Sequence, residues 1–103
     1  MIVVLTAEAE ADLESIGDYI ARGDPRRAAS FVAELIERCE RLAQTPKGFP
    51  LVPGYENTGI RRRPYREYLI FYRVGVGRID VLHVLNGAQD YTSILFPASP
   101  PDA

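Results

Sequence analysis

Three β-rich runs, Gly59 to Arg63, Glu67 to Val74 and Arg78 to Leu85, are separated only by Pro64-Tyr65-Arg66 and Gly75-Val76-Gly77. Parallel neighbours need a long crossover, whereas links this short can only reverse the chain, so the spacing predicts an antiparallel meander. On the middle run Tyr68, Ile70 and Tyr72 face one way while Leu69, Phe71 and Arg73 face the other. On the last run Ile79, Val81, His83 and Leu85 alternate with Asp80, Leu82 and Val84. Both faces of the sheet are therefore apolar, and each needs a cover.

The first half of the chain supplies one cover. Ile2 to Leu5 is β-rich and ends at Thr6, whose hydroxyl caps a helix with Glu8 in its first turn. Ala9, Leu13, Ile16 and Ile20 recur at helical steps, while Glu10, Asp12, Glu14 and Asp18 lie mainly off that stripe. This helix stops near Arg22-Gly23, and Asp24-Pro25 then gives an N-cap and a first-turn proline for a second. Its buried stripe is Ala28, Phe31 or Val32, Leu35, Cys39 and Leu42, with Glu34–Arg38 and Glu37–Arg41 as i,i+4 pairs on the wet side. The tight link predicts a helical hairpin. A hairpin covers one face of the sheet, and the uncovered face predicts a partner.

At 103 residues the chain is read as one α+β domain, spanning 1–96, followed by a mobile proline-rich tail over 97–103. Gln44 to Thr58 reads as an ordered loop pinned by Phe49, Leu51 and Val52, and Tyr91 to Phe96 as a short strand or a segment against the core. The lone Cys39 excludes an internal disulfide and a cysteine metal cluster, which fits a cytoplasmic residence. Met1 to Leu5 lacks a basic leader and is too short to span a membrane, so no membrane association is expected. No glycine-rich phosphate loop or zinc pattern is present, and neither metal nor cofactor is expected.

The net charge of −2 hides an uneven distribution: acids dominate the first 40 residues and arginines the stretch from Arg61 to Arg73. Holding nucleic acid by its phosphates needs a broader positive footprint, which argues against free DNA or RNA as the main partner. Arg61, Arg62 and Arg63, with Tyr65, Tyr68 and Arg73, are the candidate binding residues, because guanidinium forks suit carboxylates or phosphates. The alternative is a charged edge strand that merely resists aggregation. For metal-independent RNA cleavage the best cast is Tyr65, Tyr68, Tyr72 and Tyr91 with Arg73 or Arg78, of which only the cationic role is clearly filled. His83, the single imidazole, falls in phase with Ile79, Val81 and Leu85 and reads as a packed, hydrogen-bonded residue. Asp80 and Asp90 do not converge on a metal; Asp90 reads as an anchor for the turn after Gly87.

In order and spacing, several segments together resemble the ParE branch of the RelE/ParE toxin superfamily. They are Ala11-Asp12-Leu13 with Ile16, Tyr19 and Ile20; Ala28 and Phe31 to Leu35; Leu42, Pro46 and Gly48; Arg61 to Arg63; Tyr68 to Arg73; and Val81 to Asp90. The resemblance implies the RelE/ParE toxin fold, with a helical hairpin against a mainly antiparallel sheet. It also implies the toxin of a type II toxin-antitoxin system, bound by a ParD-like antitoxin that contacts operator DNA, and non-enzymatic inhibition of DNA gyrase leading to growth arrest. The RelE branch, of ribosome-dependent mRNA endoribonucleases, is the alternative, for which the resemblance loosely implies Arg61, Arg73, Arg78 and Tyr91 as the catalytic candidates, with another topoisomerase as a further target. Asn86-Gly87-Ala88-Gln89-Asp90 lacks the basic side chains that ribonuclease members often keep there, and Asn86 stands where many ParE-like sequences have histidine.

Overall fold

A computed structural model of the chain describes residues 1–97. The elements run β1 (Ile2–Leu5), α1 (Ala7–Ala21), α2 (Pro25–Glu40), β2 (Ile60–Tyr65), β3 (Tyr68–Gly75), β4 (Arg78–Asn86) and α3 (Tyr91–Leu95), with short 3-10 turns at Arg41–Gln44 and Glu56–Thr58. Among the described residues the sheet has order β1-β4-β3-β2; β1 lies parallel to β4 and the other pairings are antiparallel. This is the expected α+β architecture. The expected tail lies, from residue 98 onward, outside the described residues.

Local chemistry starts the helices where the sequence places them. The Thr6 side chain accepts the Ala9 N–H, and Asp24 accepts the Arg27 N–H with Pro25 in the first turn of α2. The hairpin packs its stripe onto one sheet face. Ala9, Leu13, Ile16, Phe31, Leu35, Cys39 and Leu42 close over Tyr68, Ile70, Tyr72, Ile79, Val81 and Val84. Burial pushes the Cys39 thiol up to about 12, as suits a packed rather than reactive cysteine.

Both hairpins of the meander are tighter than the sequence reading had them. β2 runs on through Pro64 to Tyr65, leaving Arg66-Glu67 as the loop, and β3 reaches Gly75, leaving Val76-Gly77. Such two-residue loops demand positive φ, which Arg66 adopts at 55° and Gly77 at 70°. Pro64 is tolerated inside the strand because β2 is an edge and the missing N–H faces outward.

Two further expectations are corrected, and one open alternative is decided. The far sheet face is covered by this chain itself: Val52, Ile60, Phe71 and Leu85 form a second core, packed by Tyr55, Leu69, Leu82, Tyr91, Leu95 and Phe96. The loop and the C-terminal segment meet there, with the Tyr55 and Phe96 rings stacked 3.9 Å apart. Of the two alternatives for that segment the second holds: it lies against the core, as a short helix capped by Asp90. Asp90 accepts from the Ser93 hydroxyl at 2.7 Å and the Thr92 hydroxyl at 2.9 Å, and these bonds hold its pKa below the usual carboxylate range. Finally, the strict alternation on β4 breaks at a register shift opposite Phe71 and Tyr72, where Leu82 is the extra residue. Val81 and Val84 thereby both reach the helix-facing core, while Leu82 and Leu85 serve the other.

Candidate interaction surface

Register divides the arginine run between the two faces of the sheet. Arg61, Arg63 and Tyr65 stand opposite Tyr72, Ile70 and Tyr68 and so share the helix-facing side, whereas Arg62 stands opposite Phe71 and shares the far side with Arg73. Each arginine is then held differently. Arg61 donates from Nη1 to the Phe49 carbonyl at 2.7 Å, tying the loop to the edge. Arg62 donates to the Tyr91 hydroxyl at 2.7 Å and staples α3. Arg73 donates through Nε to the Thr58 carbonyl at 3.2 Å, and Arg78 pairs with Asp80 at 2.5 Å.

Arg63 differs from these. Its guanidinium lies 5.1 Å from the centre of the Phe49 ring and 5.7 Å from that of Tyr65, and it donates to the neighbouring Pro64 carbonyl. Burial is the first cause that lowers its pKa, and the nearby charge of Arg38 and Arg41 adds to it. Arg38, at the C-terminal end of α2, and Arg41, in the turn just beyond it, both contact Glu37 Oε1, at 2.7 and 3.3 Å. The expected Glu37–Arg41 pair is thus formed. The expected Glu34–Arg38 pair is not: Glu34 takes Arg27 at 2.6 Å and the Tyr65 hydroxyl, which lower its pKa, while Arg38 lies over the Tyr65 ring at 4.7 Å.

The outer edge of β2 is already occupied. Pro50 and Val52 run beside it: the Arg62 N–H donates to the Pro50 carbonyl at 3.0 Å and the Val52 N–H to the Ile60 carbonyl at 2.9 Å. Pro64 has no N–H to offer, and its carbonyl accepts from Arg63. Recognition at this edge therefore falls to side chains. The tyrosines are mostly packed: Tyr68 is buried, Tyr72 is buried with its hydroxyl on the Pro46 carbonyl at 2.8 Å, and burial raises the phenol pKa of both.

The ribonuclease cast does not assemble on one face. Arg61 and Arg73 project from opposite sides of the sheet, Arg78 is paired with Asp80, and Tyr91 is tied to Arg62. Among the described residues no group of three or more His, Cys, Asp and Glu side chains is placed to hold a metal ion.

Residues 3–91 match the family described as the ParE toxin of the type II toxin-antitoxin system, parDE. The chain belongs to the ParE toxin family. A solved structure titled as the chromosomal ParDE TA system from P. aeruginosa matches at 26% identity and a TM-score of 0.71, covering 84% of this chain and 95% of the other. No curated protein sequence matches significantly. Among the described residues no helix of this ParE-family chain is long and apolar enough to cross a membrane.

Two features of the ParE-family fold escaped the sequence reading. Arg38 and Arg63 meet over the Tyr65 ring, at 4.7 and 5.7 Å from its centre, and Arg41 joins Arg38 on Glu37, although the i,i+4 pattern assigned both helix arginines only to intrahelical pairs. Asp12 is the second: its Oδ2 lies 2.7 Å from His83 Nδ1 and accepts the Val84 N–H at 2.9 Å. β1 ends opposite Val81, and the Asp12 carboxylate stands in for the missing strand beyond that point. His83 is therefore the hydrogen-bonded residue expected, though held at the bulge. Asp12→Ala leaves a half-buried N–H unpaired and is expected to cost about 1–3 kcal/mol. Urea unfolding checks this; a midpoint equal to that of the parent would refute the role.

Proposed function

We propose that this ParE-family toxin arrests growth by inhibiting DNA gyrase without catalysis, and that a ParD-like antitoxin neutralises it by covering the arginine edge. The observation that carries the reading is the unevenness of that edge. Among the described residues Arg63 keeps its guanidinium beside two other cations with no direct carboxylate contact, while Arg62 and Arg73 are engaged in holding α3 and the loop. Like charges set together stabilise nothing in the isolated fold, but they prepare a surface for an opposite one. Arg61, Arg63 and Tyr65 form the contact surface in this reading; Arg62, Tyr68 and Arg73 support it from the sheet.

The ribonuclease alternative needs a base, a cation and an acid around one phosphate. The division of Arg61 and Arg73 between two faces weighs against it. The match to a structure whose title names a ParDE system supports an antitoxin partner of the ParD kind, through which operator DNA is contacted. A cytoplasmic toxin domain over residues 1–96 completes the proposal.

The test is plasmid supercoiling by purified gyrase with the protein titrated in, an antitoxin-blocked control, and detection of DNA covalently held by the enzyme. Inhibition with accumulated cleaved complex is expected. Unimpaired supercoiling by a folded, growth-arresting preparation would overturn gyrase as the target and bring ribosome-dependent RNA cleavage forward.

A further inference from the structure

We propose that Arg38, Arg41 and Arg63 form a carboxylate-binding site that receives an acidic peptide segment of the antitoxin. The inference rests on the toxin-antitoxin reading and deepens it, because it names the chemistry of the segment and adds two helix residues to the surface. The three guanidiniums come from different elements, the C-terminal end of α2, the turn that follows it and the edge strand β2. Between them the direct carboxylate contact is Glu37 Oε1, shared by Arg38 and Arg41. Of the other carboxylates of α2 close by, Glu34 is held by Arg27 and the Tyr65 hydroxyl, and Glu40 is exposed at the end of the helix. The cluster is thus cationic in excess, and Arg63 is partly withdrawn from water, where a further carboxylate gains more from a fork of donors than it does in solvent.

Geometry selects the class of partner. Duplex DNA presents a charge about every 1.7 Å and rewards a continuous cationic surface. Here Glu34, Glu37 and Glu40 punctuate the same helix, so a uniform polyanion meets repulsion where discrete carboxylates do not. Single-stranded nucleic acid adds stacking on open aromatic faces. Tyr65 is instead flanked by Arg38, Arg63 and Arg66 within 5.7 Å of its centre, and Phe49 is capped by Arg63. Strand addition is closed off as well, since the N–H of Arg62 is bonded to Pro50 and position 64 has none. What remains is a set of donors suited to Asp and Glu side chains or a chain-terminal carboxylate.

The experiment measures fluorescence anisotropy of a labelled hexaglutamate peptide titrated with the full chain at low ionic strength, beside a single-stranded oligonucleotide and a duplex of matching length. Arg63→Gln is expected to weaken peptide binding about tenfold or more, as loss of a charge-assisted fork does. Arg63→Lys keeps the charge but not the fork and falls between; Arg26→Gln, on an exposed part of α2 away from the cluster, leaves binding as in the parent. Should Arg63→Gln fail to fold by circular dichroism, Arg41→Gln carries the test, because its side chain is 60% exposed and its removal leaves the core intact. Peptide affinity unchanged in the folded variants overturns the proposal. So does an oligonucleotide that binds more tightly than the peptide through the same arginines, which makes the patch a nucleic-acid surface. Growth arrest on expression is read separately. A chain that arrests growth but ignores the peptide refutes this inference alone, and one that binds the peptide without arresting growth or inhibiting gyrase refutes the toxin mechanism instead.

Discussion

Phe71→Ala is expected to destabilise the protein by about 3–5 kcal/mol, the range for truncating a buried aromatic side chain. Phe71 has no exposed surface, and its ring centre lies 5.0 Å from that of Tyr91. It is the centre of the second core, on which α3 and the loop rest. Removing it leaves a cavity between the sheet and these two segments that their hydrogen bonds to Arg61, Arg62 and Arg73 do not fill. Small domains are stable by only about 5–15 kcal/mol, so a large part of the margin goes with one side chain. Urea denaturation followed by circular dichroism measures the change. The result also separates two pictures of the fold. If the far face were bare and waited for a partner, Phe71 would be partly wet and its truncation would cost well under 1 kcal/mol, within the range of surface substitutions.

That distinction marks where the sequence was legible and where it was not. The caps at Thr6 and Asp24 and the stripe Leu13, Ile16, Phe31, Leu35 and Cys39 announce the hairpin, because each is a local rule read over a few residues. The opposed faces of β3 follow from the same kind of period. The cover on the far face does not, since it is made by contacts such as Tyr55 on Phe96, remote in sequence and carried by segments without a clean period. The extra residue at Leu82 is invisible for a related reason: a run of apolar residues looks the same with or without a bulge, and only pairing with β3 reveals the phase change. Likewise Glu34 had a suitable arginine four positions on, yet Tyr65 and Arg27 outcompete it in three dimensions.

The candidate surface was legible in composition but not in geometry. Arg61, Arg62 and Arg63 read as a block, and alternation along the strand assigns two to one face and one to the other. It does not say which face is structural. The far-side member staples α3, and of the near-side pair Arg61 ties down the loop while Arg63 meets a helix end whose arginines seemed committed to the helix itself. A cation cluster built from separate elements has no signature in any one of them.

On the mechanism proposed above, Arg61→Ala with Arg63→Ala is expected to weaken gyrase inhibition by at least about 30-fold, since arginines at the centre of an interface commonly contribute about 2 kcal/mol or more and each 1.4 kcal/mol is a factor of ten. The two contribute differently. Arg63 presents its charge at the surface, while Arg61 fixes the Phe49 carbonyl and with it the ring against which Arg63 lies. Truncating Arg61 alone therefore loosens the platform, and truncating Arg63 alone removes the group it carries, so the pair should be non-additive. Arg62→Ala provides the contrast: its lost bond to Tyr91 lies on the other face and should lower stability more than inhibition. Dose-response in the supercoiling assay, read beside the unfolding midpoint of each variant, separates the two effects. Full potency in a folded double variant would remove the arginine edge from the mechanism, whereas equal losses in the double variant and Arg62→Ala would assign the effect to stability rather than to contact with gyrase.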